Sequence, residues 1–107
     1  AAAALDRADA QAHAAEALIQ PEQNRLRGVA AMARGLVAHQ RAQMLARANG
    51  QNTAARAMFQ QAVDAYQQCI ASSQADPGDL FLKRQIVDFT CQPLAKSAAA
   101  ARDRLAP

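Results

Sequence analysis

The residues best suited to chemistry in this chain are its two cysteines, Cys69 and Cys91. They lie too far apart for a C-x-x-C redox motif, and no clustered histidines accompany them to complete a zinc site. A disulfide and two buried free thiols remain as alternatives. The disulfide is favoured, because each cysteine lies on the apolar face of its own segment. Closing a loop of about 23 residues would also stabilise a small core by about 3 kcal/mol.

Such a disulfide limits where the protein works, because structural disulfides persist in oxidising compartments. The chain begins AAAALDRADA, without Met, as it would if it had been trimmed or if a signal peptide had been removed after a small residue. No run of about 18 consecutive apolar residues is present, so the sequence predicts no transmembrane span. We expect a periplasmic or secreted protein.

A second set of candidate ligands lies near the N-terminus. One flank of the first predicted helix carries Asp6, Asp9, His13 and Glu16. Carboxylates and an imidazole so placed are a candidate site for a divalent cation. Ion pairs with the next helix are the favoured alternative, since residues 1–20 carry three acids and one Arg, whereas residues 21–50 carry five Arg and one Glu.

The partners for these acids form a basic stripe at heptad spacing, which consists of Arg27, Arg34 and Arg41. Antiparallel packing about Pro21 would place Glu16 against Arg27. The same packing would place Asp9 against Arg34. The basic stripe is also a candidate site for an anionic partner, and a net charge of +3 with a pI of about 9.4 permits one. No aromatic residues interrupt the stripe and no nucleic-acid motif is present, so we expect a solvated face rather than nucleic-acid binding.

Motifs for catalysis are missing from the sequence. There is no P-loop, G-x-G-x-x-G, H-E-x-x-H, G-x-S-x-G or C-x-x-C-H pattern. His13 and His39 stand apart from each other and from the hydroxyl residues. We expect a protein that is not an enzyme and that holds no cofactor.

The remaining candidate is an apolar stripe of Leu82, Ile86 and Phe89, which points away from a second stripe of Leu80, Val87, Cys91, Leu94 and Ala98. One alternative is that the first stripe fills the core beneath a kinked joint. The other is an exposed surface that binds a partner helix, a lipid or a second copy of the chain.

The elements that must position these residues are helices. Alanine occupies 30 of 107 positions, and β-branched residues and glycine are scarce, which favours one all-α domain over residues 1–107. The sequence predicts a four-helix antiparallel bundle of three long helices and a Pro-kinked C-terminal region. The predicted bounds are about 3–20, 21–48, 53–73, 80–91 and 93–105. Pro93 is expected to break or kink the last region near Phe89–Gln92.

Hydrophobic spacing predicts which side of each helix faces the core. The predicted apolar face of the first helix is Leu5, Ala8, Ala12, Ala15 and Ile19. The predicted stripe of the second is Leu26, Val29, Ala33, Leu36, Val37 and Met44. The predicted face of the third is Ala55, Met58, Phe59, Ala62, Val63, Tyr66, Cys69 and Ile70. Gly28 and Gly35, seven residues apart in the second helix, mark either close packing or a bend.

The middle of the chain resembles one tetratricopeptide repeat over about 34 residues. The family's Gly, Ala, aromatic and Ala positions are matched by Gly50, Ala55, Phe59 and Ala62. Its Trp, Leu, Gly and Tyr positions are occupied instead by His39, Ala42, Gln43 and Ala46. The resemblance implies an antiparallel helix pair at residues 25–73, and one unit does not make a binding solenoid.

Together these features indicate a non-enzymatic, exported helical protein that acts as an interaction module. We expect a protein partner and a monomer or weak homodimer. The alternative is a periplasmic cation-binding or stress-sensing protein that uses the acidic flank with His13.

Overall fold

The computed structural model describes residues 2–19, 24–75, 78 and 80–105. Its elements in chain order are α1 (Ala2–Ala17), α2 (Asn24–Arg47), α3 (Asn52–Ala75), α4 (Leu80–Ile86), a π-helical turn (Val87–Cys91) and α5 (Gln92–Arg104). The described residues contain no strand, and a disulfide joins Cys69 to Cys91. The predicted all-α bundle with one disulfide is therefore confirmed.

The connection between the first two helices differs from the prediction. α1 ends at Ala17, before the expected residue 20, and α2 begins at Asn24 rather than at residue 21. Pro21, expected to separate the two helices, lies outside the described residues. α2 ends at Arg47, as expected. Gly50 beyond it has a φ of 76°, a left-handed conformation that glycine adopts at little cost.

The side of α2 that packs on α3 is lined mainly by small residues. Its buried positions are Gly28, Ala30, Ala31, Gly35, Val37, Ala38, His39 and Ala42. The larger residues of the predicted stripe that are exposed instead are Leu26, Val29, Leu36 and Met44. The predicted stripe was wrong for these four, because the separation of two packed helices depends on the side chains between them and small residues permit the closest approach.

Two glycines show how close α2 and α3 come. A Cβ atom on Gly35 would lie 2.5 Å from Tyr66 Cε1. A Cβ atom on Gly28 would overlap Ser73 Oγ and lie 3.1 Å from the carbonyl oxygen of Cys69. Neither position has room for a methyl group, so the glycines mark close packing.

α3 supplies the larger core residues, on the face that the sequence predicted. Its buried residues are Ala55, Phe59, Ala62, Val63, Ala65, Tyr66, Cys69 and Ser73. Met58 and Ile70, also predicted for this face, are partly buried at its edges. One core cluster joins Phe59 and Tyr66 to Ala98 of α5, and a second surrounds the disulfide beside Ala31. The disulfide therefore lies inside the core.

α1 lies on the surface of α2, and none of its described residues is buried. Its predicted apolar face borders two open cavities of about 370 and 500 Å³ along α2. The larger cavity is lined by Ala12, Ala15, Leu18, Ile19, Leu26, Val29, Ala30 and Ala33. α1 is thus packed less tightly than the α2–α3 pair.

The C-terminal region continues through the expected break. The helix does not stop near Phe89–Gln92 but widens into the π-helical turn, where the Gln92 N–H donates to the carbonyl oxygen of Val87. Pro93 then occupies the first turn of α5, where its missing N–H costs little. The short distance that a disulfide can span predicts that the segment from Ser72 to about Lys83 loops out or that its short helix crosses at a steep angle. Residues 72–75 belong to α3 and residues 80–83 to α4, whereas residues 76, 77 and 79 lie outside the described residues.

Candidate functional site

Four large apolar residues are exposed within ten positions of the C-terminal region. They are Leu80, Phe81, Leu82 and Phe89, and we refer to them as the C-terminal patch. Phe81 and Phe89 are each 67% exposed, and Leu82 is 42% exposed. Large apolar residues grouped on the surface of a small protein indicate an interaction site.

The structure separates the three residues of the predicted partner-binding stripe. Leu82 and Phe89 lie in the C-terminal patch, so neither fills the core. Ile86 is partly buried and packs on the cluster around Cys69 and Cys91. The alternative of a core stripe therefore fails for Leu82 and Phe89 and holds only for Ile86.

Buried residues beneath the C-terminal patch anchor it to the bundle. Val87 and Cys91 of the π-helical turn are buried, and their predicted inward stripe continues through Leu94 to Ala98. Leu80 was expected on that stripe but is exposed, because it stands at the first position of α4. The Cα atoms of Cys69 and Cys91 lie 6.4 Å apart, within the range of a disulfide. Phe89, two residues before Cys91, is thus held to α3 by a covalent bond as well as by packing, whereas the other three residues of the patch lie on α4, which has no buried residue.

The π-helical turn has its own side-chain support. Thr90 Oγ1 donates a hydrogen bond of 2.9 Å to the carbonyl oxygen of Gln85. Pro93 has no N–H, so the carbonyl oxygen of Phe89 lacks its usual α-helical donor four residues on. π-helical turns occur often at functional sites. This turn places Phe89 on the surface while Val87 and Cys91 remain buried.

One ion pair borders the C-terminal patch. Arg84 Nε lies 3.6 Å from Asp88 Oδ2, one helical turn away, and the two side chains are 65% and 44% exposed. The pair was not among the candidates from the sequence, although i, i+4 spacing of Arg and Asp is a signal for it. Both charges remain accessible to a partner.

The acidic flank of α1 is joined to α2 by ion pairs, in a register different from the predicted one. Arg34 Nε lies 2.9 Å from Glu16 Oε2, outside hydrogen-bond geometry. Arg41 lies 2.7 Å from Asp6 Oδ1 and 3.4 Å from Asp9 Oδ2. Each predicted acid thus pairs with the arginine one heptad further along α2. The predicted pairs were wrong because they assumed packing about Pro21, with helices extending to it, whereas α1 ends at Ala17 and α2 begins at Asn24.

These pairings leave His13 at the edge of the acidic flank. His13 Nδ1 donates to the carbonyl oxygen of Asp9 at 2.8 Å and lies 3.4 Å from Asp9 Oδ1. Asp9, His13, Arg34 and Arg41 line an open cavity of about 300 Å³ between α1, α2 and α3. In the part of the chain that the structure describes, no group of three or more His, Cys, Asp or Glu side chains could hold a metal ion.

The basic stripe is divided in the same way. Arg34 and Arg41 face α1, and Arg34 also donates to Gln68 Oε1 at 3.2 Å. Arg27 is partly exposed and does not contact Glu16 as predicted. Two of the three arginines in the basic stripe are therefore already neutralised by carboxylates of α1.

A buried polar pair was missed from the sequence. His39 Nδ1 and Tyr66 OH share a hydrogen bond of 3.0 Å, and His39 also contacts Phe59 edge to face. Burial lowers the pKa of His39 and raises the pKa of Tyr66 to about 12. The signal for the pair was the position of His39 on the same face of α2 as Gly35 and Ala42, which hydrophobicity alone does not reveal.

Comparisons with known proteins return no counterpart for this arrangement. No protein family, curated protein or solved structure matches the chain. None of the described helices is long and apolar enough to cross a membrane.

Proposed function

We propose that this chain is a non-enzymatic, exported interaction module that binds a protein partner through the C-terminal patch. The observation that carries the proposal is the exposure of Phe81, Leu82 and Phe89 on a segment anchored by a buried disulfide. The buried Val87 and Cys91 hold the backbone beside Phe89, so this residue loses little conformational freedom on binding and its apolar area contributes more fully to affinity. Aromatic residues are also enriched at protein interfaces.

The disulfide supports export. Both cysteines are fully buried and bonded to each other, as in structural disulfides of proteins from oxidising compartments. The hydrogen-bonded pair of His39 and Tyr66 gives no support for catalysis. The side chain of Tyr66 is fully buried and cannot contact a substrate in this conformation.

The cation-binding alternative has less support. Asp6, Asp9 and Glu16 already contact arginines of α2, so a cation would have to displace guanidinium groups to reach them. A calorimetric titration with Zn²⁺, Cu²⁺ and Ni²⁺ tests the alternative directly. We expect only weak surface binding, and a tight stoichiometric site that disappears in Asp9→Asn would favour the alternative.

A photo-crosslinking amino acid at position 89 tests the proposed function in the native compartment. Replacing Phe89 with a benzoyl-phenylalanine keeps an aromatic ring on the patch. The matched control carries the same group at Gln67, an exposed position of α3. We expect one defined protein adduct, identified by mass spectrometry, from position 89 and none from position 67.

A second substitution tests whether the adduct from position 89 depends on the C-terminal patch. Leu82→Ser in the position-89 background should abolish the adduct without changing the helical circular dichroism, because Leu82 is not part of the core. No adduct from position 89, or equal adducts from both positions, would overturn the proposed function.

A further inference from the structure

The face of α2 beneath α1 is only partly covered. Two open cavities of about 370 and 500 Å³ lie between the helices, one towards each end of α1. Leu26 and Val29 line the larger cavity and Met44 lines the smaller one, and these side chains are 48%, 39% and 40% exposed. None of the described residues of α1 is buried. α1 thus occupies this face without filling it.

The cavities remain because α1 presents small side chains to α2. Ala12 and Ala15 line the larger cavity, and Ala2 lines the smaller one. An alanine side chain ends at Cβ, so it cannot reach the apolar side chains on the far wall. A longer apolar side chain at these positions would enter the space and remove apolar surface from water.

The charges along the same face indicate which kind of helix it accepts. Arg34 and Arg41 lie two helical turns apart on α2. Glu16 lies 2.9 Å from Arg34, and Asp6 and Asp9 lie 2.7 and 3.4 Å from Arg41. These three acids lie on the flank of α1 beside its alanines. The face therefore receives carboxylates at its two arginines and apolar side chains next to them.

We propose that this face of α2 is a docking site for an acidic amphipathic helix of a partner protein, and that α1 is its competitor within the chain. The partner helix carries acids that pair with Arg34 and Arg41, and large apolar residues where α1 has Ala12 and Ala15. It displaces α1, because both helices need the same face. The site shares no residue with the C-terminal patch, so the inference does not rest on the proposed function.

The tether gives α1 an advantage that the partner must overcome. A segment joined to its own site competes at an effective concentration of about 1 mM or more. The partner helix gains its advantage from the two cavities, because only longer apolar side chains make use of them. α1 therefore keeps the site closed to helices that are no larger than itself.

A synthetic peptide tests the site on the full chain. The peptide repeats residues 2–19 with Ala12→Leu and Ala15→Leu. The matched control peptide carries Ala10→Leu and Ala14→Leu instead, at exposed positions on the far side of the helix. Fluorescence anisotropy of the labelled peptides measures both affinities. We expect the first peptide to bind about tenfold more tightly or better, because its leucines enter the larger cavity.

The same substitutions within the chain test the competition by α1. Ala12→Leu with Ala15→Leu in the chain itself would fill the larger cavity from within. We expect the affinity of this variant for the first peptide to fall by about tenfold or more. Ala10→Leu with Ala14→Leu should leave that affinity nearly unchanged. Amide hydrogen exchange of the unmodified chain should show that the peptide removes protection from α1 and not from α3.

A third peptide tests the acids. It keeps both leucine substitutions of the first peptide and adds Asp6→Asn, Asp9→Asn and Glu16→Gln. We expect it to bind several-fold more weakly than the first peptide at low ionic strength, and the difference should shrink as salt screens the charges. Equal affinity of the two peptides at low salt would show that the face selects apolar residues alone, which would overturn the acidic partner.

Three further results would overturn the inference. They are no binding of the first peptide up to about 1 mM, equal binding of the first and control peptides, and binding that leaves α1 protected. Leu82→Ser should not change the affinity for the first peptide, because Leu82 does not line either cavity. Since the same substitution should abolish the adduct from position 89, failure of this inference is distinguishable from failure of the proposed function.

Discussion

At the scale of single residues, the buried contact between His39 and Tyr66 makes stability depend on pH. Burial holds the pKa of His39 below its ordinary 6.5 in the folded protein. The unfolded chain therefore binds a proton at a higher pH than the folded chain does. The contribution of His39 to the free energy of unfolding is complete above 6.5 and is lost as the pH falls from there toward the folded pKa.

Urea unfolding at about pH 7.5 and at about pH 5 measures this loss. We expect His39→Asn to reduce the difference between the two free energies, because the Asn amide group lies at about the same distance along the side chain as Nδ1 and does not titrate. Gln40→Ala, a change at an exposed position of α2 that does not titrate, is the control and should leave the difference unchanged. Equal pH dependence in all three proteins would contradict the assignment.

Tyr66 gives a second prediction at this scale. It is the only tyrosine of the chain, which has no tryptophan, so tyrosinate absorbance reports on it alone. Burial raises its pKa to about 12, whereas the unfolded chain should titrate near 10. We expect a midpoint near 12 in the folded protein, with stability lost as the pH rises from 10 toward that value. A folded midpoint near 10 would show that the ring is accessible to water.

At the scale of elements, the close approach of α2 and α3 predicts the effect of added methyl groups. Gly28→Ala gains about 1 kcal/mol in helix propensity but forces Ser73 or α3 to move, at a cost of about 1–3 kcal/mol. We expect a net loss in the free energy of unfolding, measured in urea. Gln40→Ala, at an exposed position of α2, should change it by less than about 0.5 kcal/mol.

A double-mutant cycle identifies the cause of the Gly28→Ala loss. Ser73 Oγ is buried and makes no hydrogen bond to any described residue, so Ser73→Ala alone should be nearly neutral. The same change should recover part of the Gly28→Ala loss, because it removes the overlapping atom. A stabilising Gly28→Ala would show that the helices lie further apart than described.

The ion-paired position of α1 makes a prediction about local stability. α1 buries no described residue and contacts α2 through Arg34 and Arg41. Arg41→Gln should accelerate amide hydrogen exchange in α1 while changing the global free energy of unfolding by less than about 1 kcal/mol. Arg47→Gln is the matched control on α2. Unchanged protection in α1, or lost protection in α3, would contradict this account.

Comparison of α2 with α3 shows what hydrophobic spacing can predict. The face of α3 was predicted correctly, because its largest residues, Phe59 and Tyr66, are also its buried ones. The face of α2 was not, because its contact is made by Gly28, Gly35 and neighbouring alanines. A pattern that ranks residues by hydrophobicity selects the larger Leu36 instead, which is exposed.

At the scale of the whole molecule, the disulfide should contribute a large share of the stability. Closing its loop stabilises the fold by about 3 kcal/mol, and small domains have only about 5–15 kcal/mol in total. We expect the variant with both Cys69→Ala and Cys91→Ala to lose about that amount in urea unfolding. Reduction of the unmodified chain should give a similar loss. An unchanged free energy in the variant would show that packing alone holds α5.

The sequence was sufficient for the architecture and for the disulfide, because both follow from composition and from the apolar faces of Cys69 and Cys91. It was insufficient for the α1–α2 register, which depends on a connection whose length no local pattern gives. The exposure of Phe89 also depends on the π-helical turn. No residue pattern before Pro93 predicts that turn. From the sequence, an exposed surface at Phe89 was therefore one of two alternatives, the other being a stripe that fills the core.

The path of the covalent chain gives the disulfide a mechanical consequence. Every residue of the C-terminal patch lies between Cys69 and Cys91, inside the loop that the bond closes over a sequence separation of 22. If tension were applied to the two ends of the chain, the force would pass through the sulfur–sulfur bond and bypass this loop. The fully stretched chain would be shorter by roughly 70 Å, at about 3.3 Å per residue. The segment that presents the patch therefore carries no load, while α1, none of whose described residues is buried, would be the first element to separate from the bundle.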